Sequence, residues 1–151
     1  MLSVIDVIKS LTLLIETNFS DYPVNDRDLN EGFDRPSYFI DVDDVDASNV
    51  TSHYVRETAN LSVYFFAEDI YKGFLNLLQV KKTLLELLNK PLKLMVDEKV
   101  VAHVVFNDVN VTVNKADKAL IATMSYELVQ ERQIDTGDYL IEHIDIDVNI
   151  N

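Results

Sequence analysis

Apolar residues recur along this chain at two different periods, and the switches between them set out its architecture. Val4, Ile8, Leu11 and Ile15, widened by Ile5 and Leu14, return every three or four residues, as one face of a helix requires. An amphipathic helix is expected over residues 3–17, ended by Asn18-Phe19-Ser20-Asp21 and Pro23. Ile70, Phe74, Leu77, Leu78, Leu84, Leu85 and Leu88 repeat the pattern over residues 70–89, until Pro91 stops it. Elsewhere the period falls to two, which is the signature of half-buried strands. Tyr38, Ile40 and Val42 alternate with Asp41 and Asp43, and Ala59, Leu61, Val63 and Phe65 alternate with Asn60, Ser62 and Tyr64. Leu120, Met124, Tyr126 and Leu128 alternate with Thr123, Ser125 and Glu127.

Strands are therefore expected at about 37–43, 53–66 and 119–131, with shorter ones at 92–95, 100–106 and 109–113 and a short one at Tyr22–Asn25. The period slips near Asn107-Asp108, which predicts a bulge or tight turn. Asp44–Ser52 has turn composition and reads as a loop tip. Helix, strands, helix, strands in that order predicts an α+β domain, with a mostly antiparallel sheet and two main helices on one face. No repeat or linker interrupts it, so residues 1–151 read as a single domain. Its last segment, 134–151, is expected to be a β-strand extension. There Ile144, Ile146, Val148 and Ile150 alternate with Asp145, Asp147 and Asn149. Such an end seeks a sheet, either its own or the exposed edge of a neighbouring subunit.

Composition narrows the chemistry. A chain of 151 residues buries enough surface for a core without staples, and it has no Cys, which removes disulfide frameworks and thiol catalysis. Gly32, Gly73 and Gly137 are isolated, so no phosphate-cradling or dinucleotide turn is present. Against 26 Asp and Glu stand 13 Lys and Arg, a net charge of −13, which is unsuited to gripping a phosphate backbone. Ten carboxylates lie between Glu16 and Asp46, and five between Ile134 and Asn151, where there is no Lys or Arg. Lys72, Lys81, Lys82, Lys90, Lys93 and Lys99 make the middle mildly basic. Such a division suits self-association between unlike faces, though solvated surfaces account for it equally well. Interface candidates are Ile144, Ile146, Val148 and Ile150 together with Lys72, Lys81 and Lys82.

No catalytic constellation emerges. Asp41-Val42-Asp43-Asp44-Val45-Asp46 departs from a calcium loop, with Val45, Asp46 and Ser52 at the positions that need an oxygen ligand, Gly and Glu. His53, His103 and His143 lie far apart, and no G-x-S-x-G elbow exists. No catalytic, metal or cofactor residue is assigned, and no cofactor is expected. The N-terminal apolar stretch lacks a basic start and is broken by Asp6 and Lys9, so neither a signal peptide nor a membrane span is expected.

Three stretches resemble a known family: Gly32-Phe33-Asp34-Arg35-Pro36-Ser37-Tyr38-Phe39-Ile40, Leu61-Ser62-Val63-Tyr64-Phe65-Phe66, and Ala122-Thr123-Met124-Ser125-Tyr126-Glu127-Leu128-Val129. Together, over residues 1–133, they are similar to the tail terminators of phages, prophages and phage-tail-like particles of Gram-positive bacteria. Pro36, Phe39, Tyr64, Phe65 and Tyr126 carry the pattern, whereas Phe66 stands where the family often has Pro. The resemblance implies a structural, non-enzymatic virion protein. It would form a homo-oligomeric, commonly hexameric ring that caps the tail tube, stops its polymerisation and offers a docking face to the head connector. Its partners would be the tail tube protein and a head-connector or neck protein, with DNA only passing through the lumen and no membrane involved. Assembly in the bacterial host cytoplasm onto the virion tail follows. Another tail or neck component, such as a head–tail joining or tube protein, is the nearest alternative. An acidic cytosolic binding domain is a second, and a carboxylate or metal enzyme a third.

Overall fold

The computed structural model describes residues 1–25, 32 and 34–132. Its elements in chain order are α1 (Val4–Asn18), β1 (Ser37–Asn49), β2 (Tyr54–Phe66), α2 (Tyr71–Leu88), β3 (Leu92–Val96), β4 (Lys99–Val104), β5 (Asn107–Asn114) and β6 (Ala119–Glu131). The fold is α+β, with every strand-to-strand pairing antiparallel.

Helix α1 begins where Ser3 and Asp6 cap each other's backbone. The Ile5 amide donates to Ser3 Oγ at 3.3 Å and the Ser3 amide to Asp6 Oδ2 at 2.9 Å, two amide groups that would otherwise face water alone. It ends as Phe19 leaves helical geometry while its amide still donates to the Ile15 carbonyl at 2.8 Å. Val7, Ser10, Leu11 and Ile15 form its buried row, and Gly73, Leu77, Val80, Leu84 and Leu88 form that of α2.

Four strands form one sheet in the order β1-β2-β6-β5, and β3 and β4 form a separate hairpin. One sheet face makes the core: Ala59, Leu61, Val63 and Phe65 of β2 with Leu120, Ala122, Met124, Tyr126 and Leu128 of β6. Helix α1 packs against β1 and β3, and α2 against β5 and β6. The Phe65 ring anchors one end of the core, 5.1 Å from Phe19 and 5.3 Å from Tyr22, the edge-on arrangement that aromatic quadrupoles favour.

Two expectations need correction. Asp44–Ser52 is not a loop tip: β1 continues to Asn49, and the reversal is confined to Val50–His53. Turn-like composition yields there to the ladder, because Val45, Asp46, Ala47 and Ser48 pair with Ala59, Thr58, Glu57 and Arg56. The stretch Tyr22–Asn25 is no strand but supplies a single parallel bridge, Val24 to Tyr38. The slip near Asn107-Asp108 is a register shift between Asn107 and Asn110, with Asp108 at φ 53°. The C-terminal extension, 134–151, lies outside the described residues.

Candidate functional site

The sheet has two edges of different character. Along the start of β1, the Asn25 amide donates to the Tyr38 carbonyl at 2.7 Å and the Tyr38 amide to the Pro23 carbonyl at 2.9 Å, covering the edge. Further along, no strand among the described residues pairs with the outer side of β1, and this strand carries Asp41, Asp43, Asp44 and Asp46. Asp43 is the extra residue of a bulge between Val42 and Asp44, and its carboxylate accepts from Ser62 Oγ at 2.5 Å. Charge and a bulge both discourage accidental strand pairing. At the other edge, β5 bears one carboxylate, Asp108, and leads into Lys115 and Lys118.

The structure does not bring the predicted lysines into one patch. Lys72 and Lys81 lie nine positions apart on α2, about two and a half turns, and so point to opposite sides. Lys72 lines a cleft of about 600 Å³ between the C-terminal end of α1 and α2, with Asp21, Glu68, Asn76 and Thr83 on its walls. Lys81 is half-buried on the far flank, and Lys82 is exposed on the outward surface. A second, apolar groove of about 320 Å³ lies between Leu13, Leu14 and Thr17 of α1 and Leu92 and Met95 of β3, with Lys90 and Lys93 among its lining. Ile144, Ile146, Val148 and Ile150 lie outside the described residues.

The family-pattern positions divide between two environments. Phe65 and Tyr126 are core residues. Phe39 and Tyr64 sit half-buried on the other face of the sheet, their rings 6.5 Å apart, and Phe66 stacks on Tyr64 at 6.1 Å. Pro36 follows a cis peptide bond from Arg35, and Gly32 adopts φ 106°, a backbone region that disfavours side chains. Arg35 is the residue that sequence reasoning passed over. Its guanidinium donates to the carbonyls of Ala67 (2.6 Å), Lys118 (3.2 Å) and Asp117 (2.7 Å). It thereby ties the entry of β1 to the exit of β2 and the β5–β6 turn. Its only signal was an Arg-Pro step before a strand.

Ionisable groups here serve packing. The Tyr126 hydroxyl donates to Glu57 Oε1 at 2.6 Å and the Tyr38 hydroxyl to Glu16 Oε1 at 3.1 Å. Burial, and then the bond to Glu16, push the Tyr38 phenol up to about 12. Burial and the Glu57 bond raise Tyr126 further, and burial followed by the charges of Asp21 and Glu68 raises Tyr22. Among the described residues no group of three or more His, Asp or Glu could hold a metal ion. The aspartates of Asp41–Asp46 lie along a strand, where successive side chains diverge. His53 is exposed in the β1–β2 turn and His103 is exposed on β4, and His143 is outside the described residues.

No helix among the described residues is long and apolar enough to cross a membrane. No curated protein matches the chain. The family model described as phage tail terminator protein matches residues 6–138, from within α1 to beyond the end of β6.

Proposed function

The chain belongs to the phage tail terminator family, a virion tail component that works with tail and head-connector proteins, and on that premise we propose how it acts. Copies of it close into a ring, read as a hexamer, on the finished end of the tail tube. The ring stops further tube polymerisation and presents its outer face to the head connector or neck. It is built in the host cytoplasm, and its role is structural, with no reaction catalysed.

The observation that carries this reading is the family match across residues 6–138. Two physical features support it. A closed ring of identical subunits needs two different, complementary surfaces on each copy, and this sheet has an acidic edge at β1 and a less acidic, lysine-flanked edge at β5. A lumen that passes DNA also gains from walls that do not hold phosphate, and a net charge of −13 suits such walls.

The test is the mass of the chain in solution over a range of concentrations, with electron images of the same samples, alone and with tail tubes. Closed rings, free or seated on tube ends, are expected. A monomer at every concentration, with tube ends left bare, would contradict the reading.

A further inference from the structure

Beside the β5 edge lies a flank of α2 that the described residues cover only in part. β5 pairs with β6 on one side only. Val111 is buried, and Val109 and Val113 pack against the core, so the alternate residues, including Thr112, face the opposite side of the sheet. The row Gly73, Leu77, Val80, Leu84 and Leu88 of α2 faces the sheet, and Lys72, Asn76, Gln79 and Thr83 face the cleft with α1. The flank away from α1 therefore carries Phe74, Leu78, Lys81 and Leu85. Phe74 fixes where this flank looks: Lys115 Nζ, just past the end of β5, sits 5.4 Å from its ring centroid. Leu78 is 44% exposed, an apolar contact left open over an unpaired strand edge.

We propose that this edge receives residues Ile144–Ile150 of a neighbouring copy as an added strand. Ile144, Ile146, Val148 and Ile150 then lie under the flank of Phe74, Leu78 and Leu85, and Asp145 and Asp147 lie on the side of Thr112. The inference rests on the ring reading above, and places the neighbour's C-terminal segment, in place of its β1 edge, against β5.

Three observations select this occupant. The first is pattern and length. The segment alternates apolar and acidic residues, and β5 is 8 residues long, so the two match as neighbouring strands. Pairing satisfies the open backbone groups, while alternate side chains reach the apolar flank. The second is charge. Residues 134–151 hold five carboxylates and no Lys or Arg. Asp41, Asp43, Asp44 and Asp46 repel that sign at β1, whereas β5 bears a single carboxylate, Asp108. The third is where the described chain leaves the sheet. The Arg132 amide donates to the His53 carbonyl at 2.6 Å, beside the β1–β2 turn. From there to Ile144 an extended chain reaches roughly 40 Å at most, so the segment is not held to the end of β6.

The absence of Cys gives a clean test. One full-length chain carries Thr112→Cys and another Asp147→Cys. The two are mixed, allowed to assemble on tail tubes, and treated with a short thiol-specific cross-linker. A cross-linked pair joining the two different chains is expected. Ile146→Asp added to the donor chain should reduce that product at least tenfold. A chain with both cysteines that links only to itself would show the strand docking on its own sheet and overturn the proposal. Rings without any donor-to-acceptor link would overturn it too, while leaving the ring reading intact. Donor-to-acceptor links in open chains that never close would support the docking and overturn the ring.

Discussion

Gly73, in α2, has no room for a side chain. A Cβ there would lie 2.1 Å from the Glu68 carbonyl oxygen and 3.1 Å from its carbon, and this neighbour is backbone that cannot swing aside. Gly73→Ala is expected to destabilise the fold by about 1–3 kcal/mol, as overpacking does. In an unobstructed helix interior the same change would stabilise by about 1 kcal/mol, so thermal melting separates the two by sign. The buried phenols make a second prediction. Tyr38, raised to about 12, and Tyr126, raised further, are held neutral by burial and by their bonds to Glu16 and Glu57. A group with a raised folded-state value contributes stability that is complete below its unfolded value, about 10 for tyrosine. That stability is lost as pH rises through the folded value. The melting temperature is therefore expected to fall steeply between about pH 10 and pH 12. The double variant Tyr38→Phe, Tyr126→Phe should be less stable at neutral pH and have a flatter alkaline slope. An unchanged slope would show that these phenols do not govern the alkaline limb.

At the scale of elements, periodicity carried most of the fold. The helices at Val4–Asn18 and Tyr71–Leu88 and the strand Ala119–Glu131 stand within a residue or so of their expected bounds, because each buries one regular face. The distal half of β1 was not legible. Asp44, Asp46, Ser48 and Asn49 have turn chemistry, and what makes them a strand is pairing with β2, information held elsewhere in the chain. Basic character in the middle of the sequence was legible too, but not its division. Lys72 and Lys81 read as one cluster along the chain, and the helix sends them to opposite flanks. The role of Arg35 was invisible because its partners are backbone carbonyls, which have no residue-type signature. Amide exchange gives the test at this scale. β2 and β6 are flanked by strands on both sides, so their central amides should exchange most slowly. Those of β1 beyond Asp43, exposed at an edge, should exchange much faster. Equal protection of the two would mean that another element covers the β1 edge.

On the scale of the whole molecule, the sequence pointed to architecture more than to chemistry. Absent Cys and scarce Gly excluded several catalytic frameworks, and the strands that carry the family pattern are those that build the core and sheet. The candidate site is correspondingly spread over edges and flanks. Its two sheet edges differ in charge, and the proposed ring needs two unlike surfaces on each copy. The most direct measurement is elongation of tail tubes from purified tube protein, with and without this chain, followed by electron imaging of the tube ends. Growth is expected to stop when the chain is added, with a ring on one end of each arrested tube. Tubes that continue to lengthen at saturating concentrations of the chain, with both ends bare, would contradict its role as the terminator.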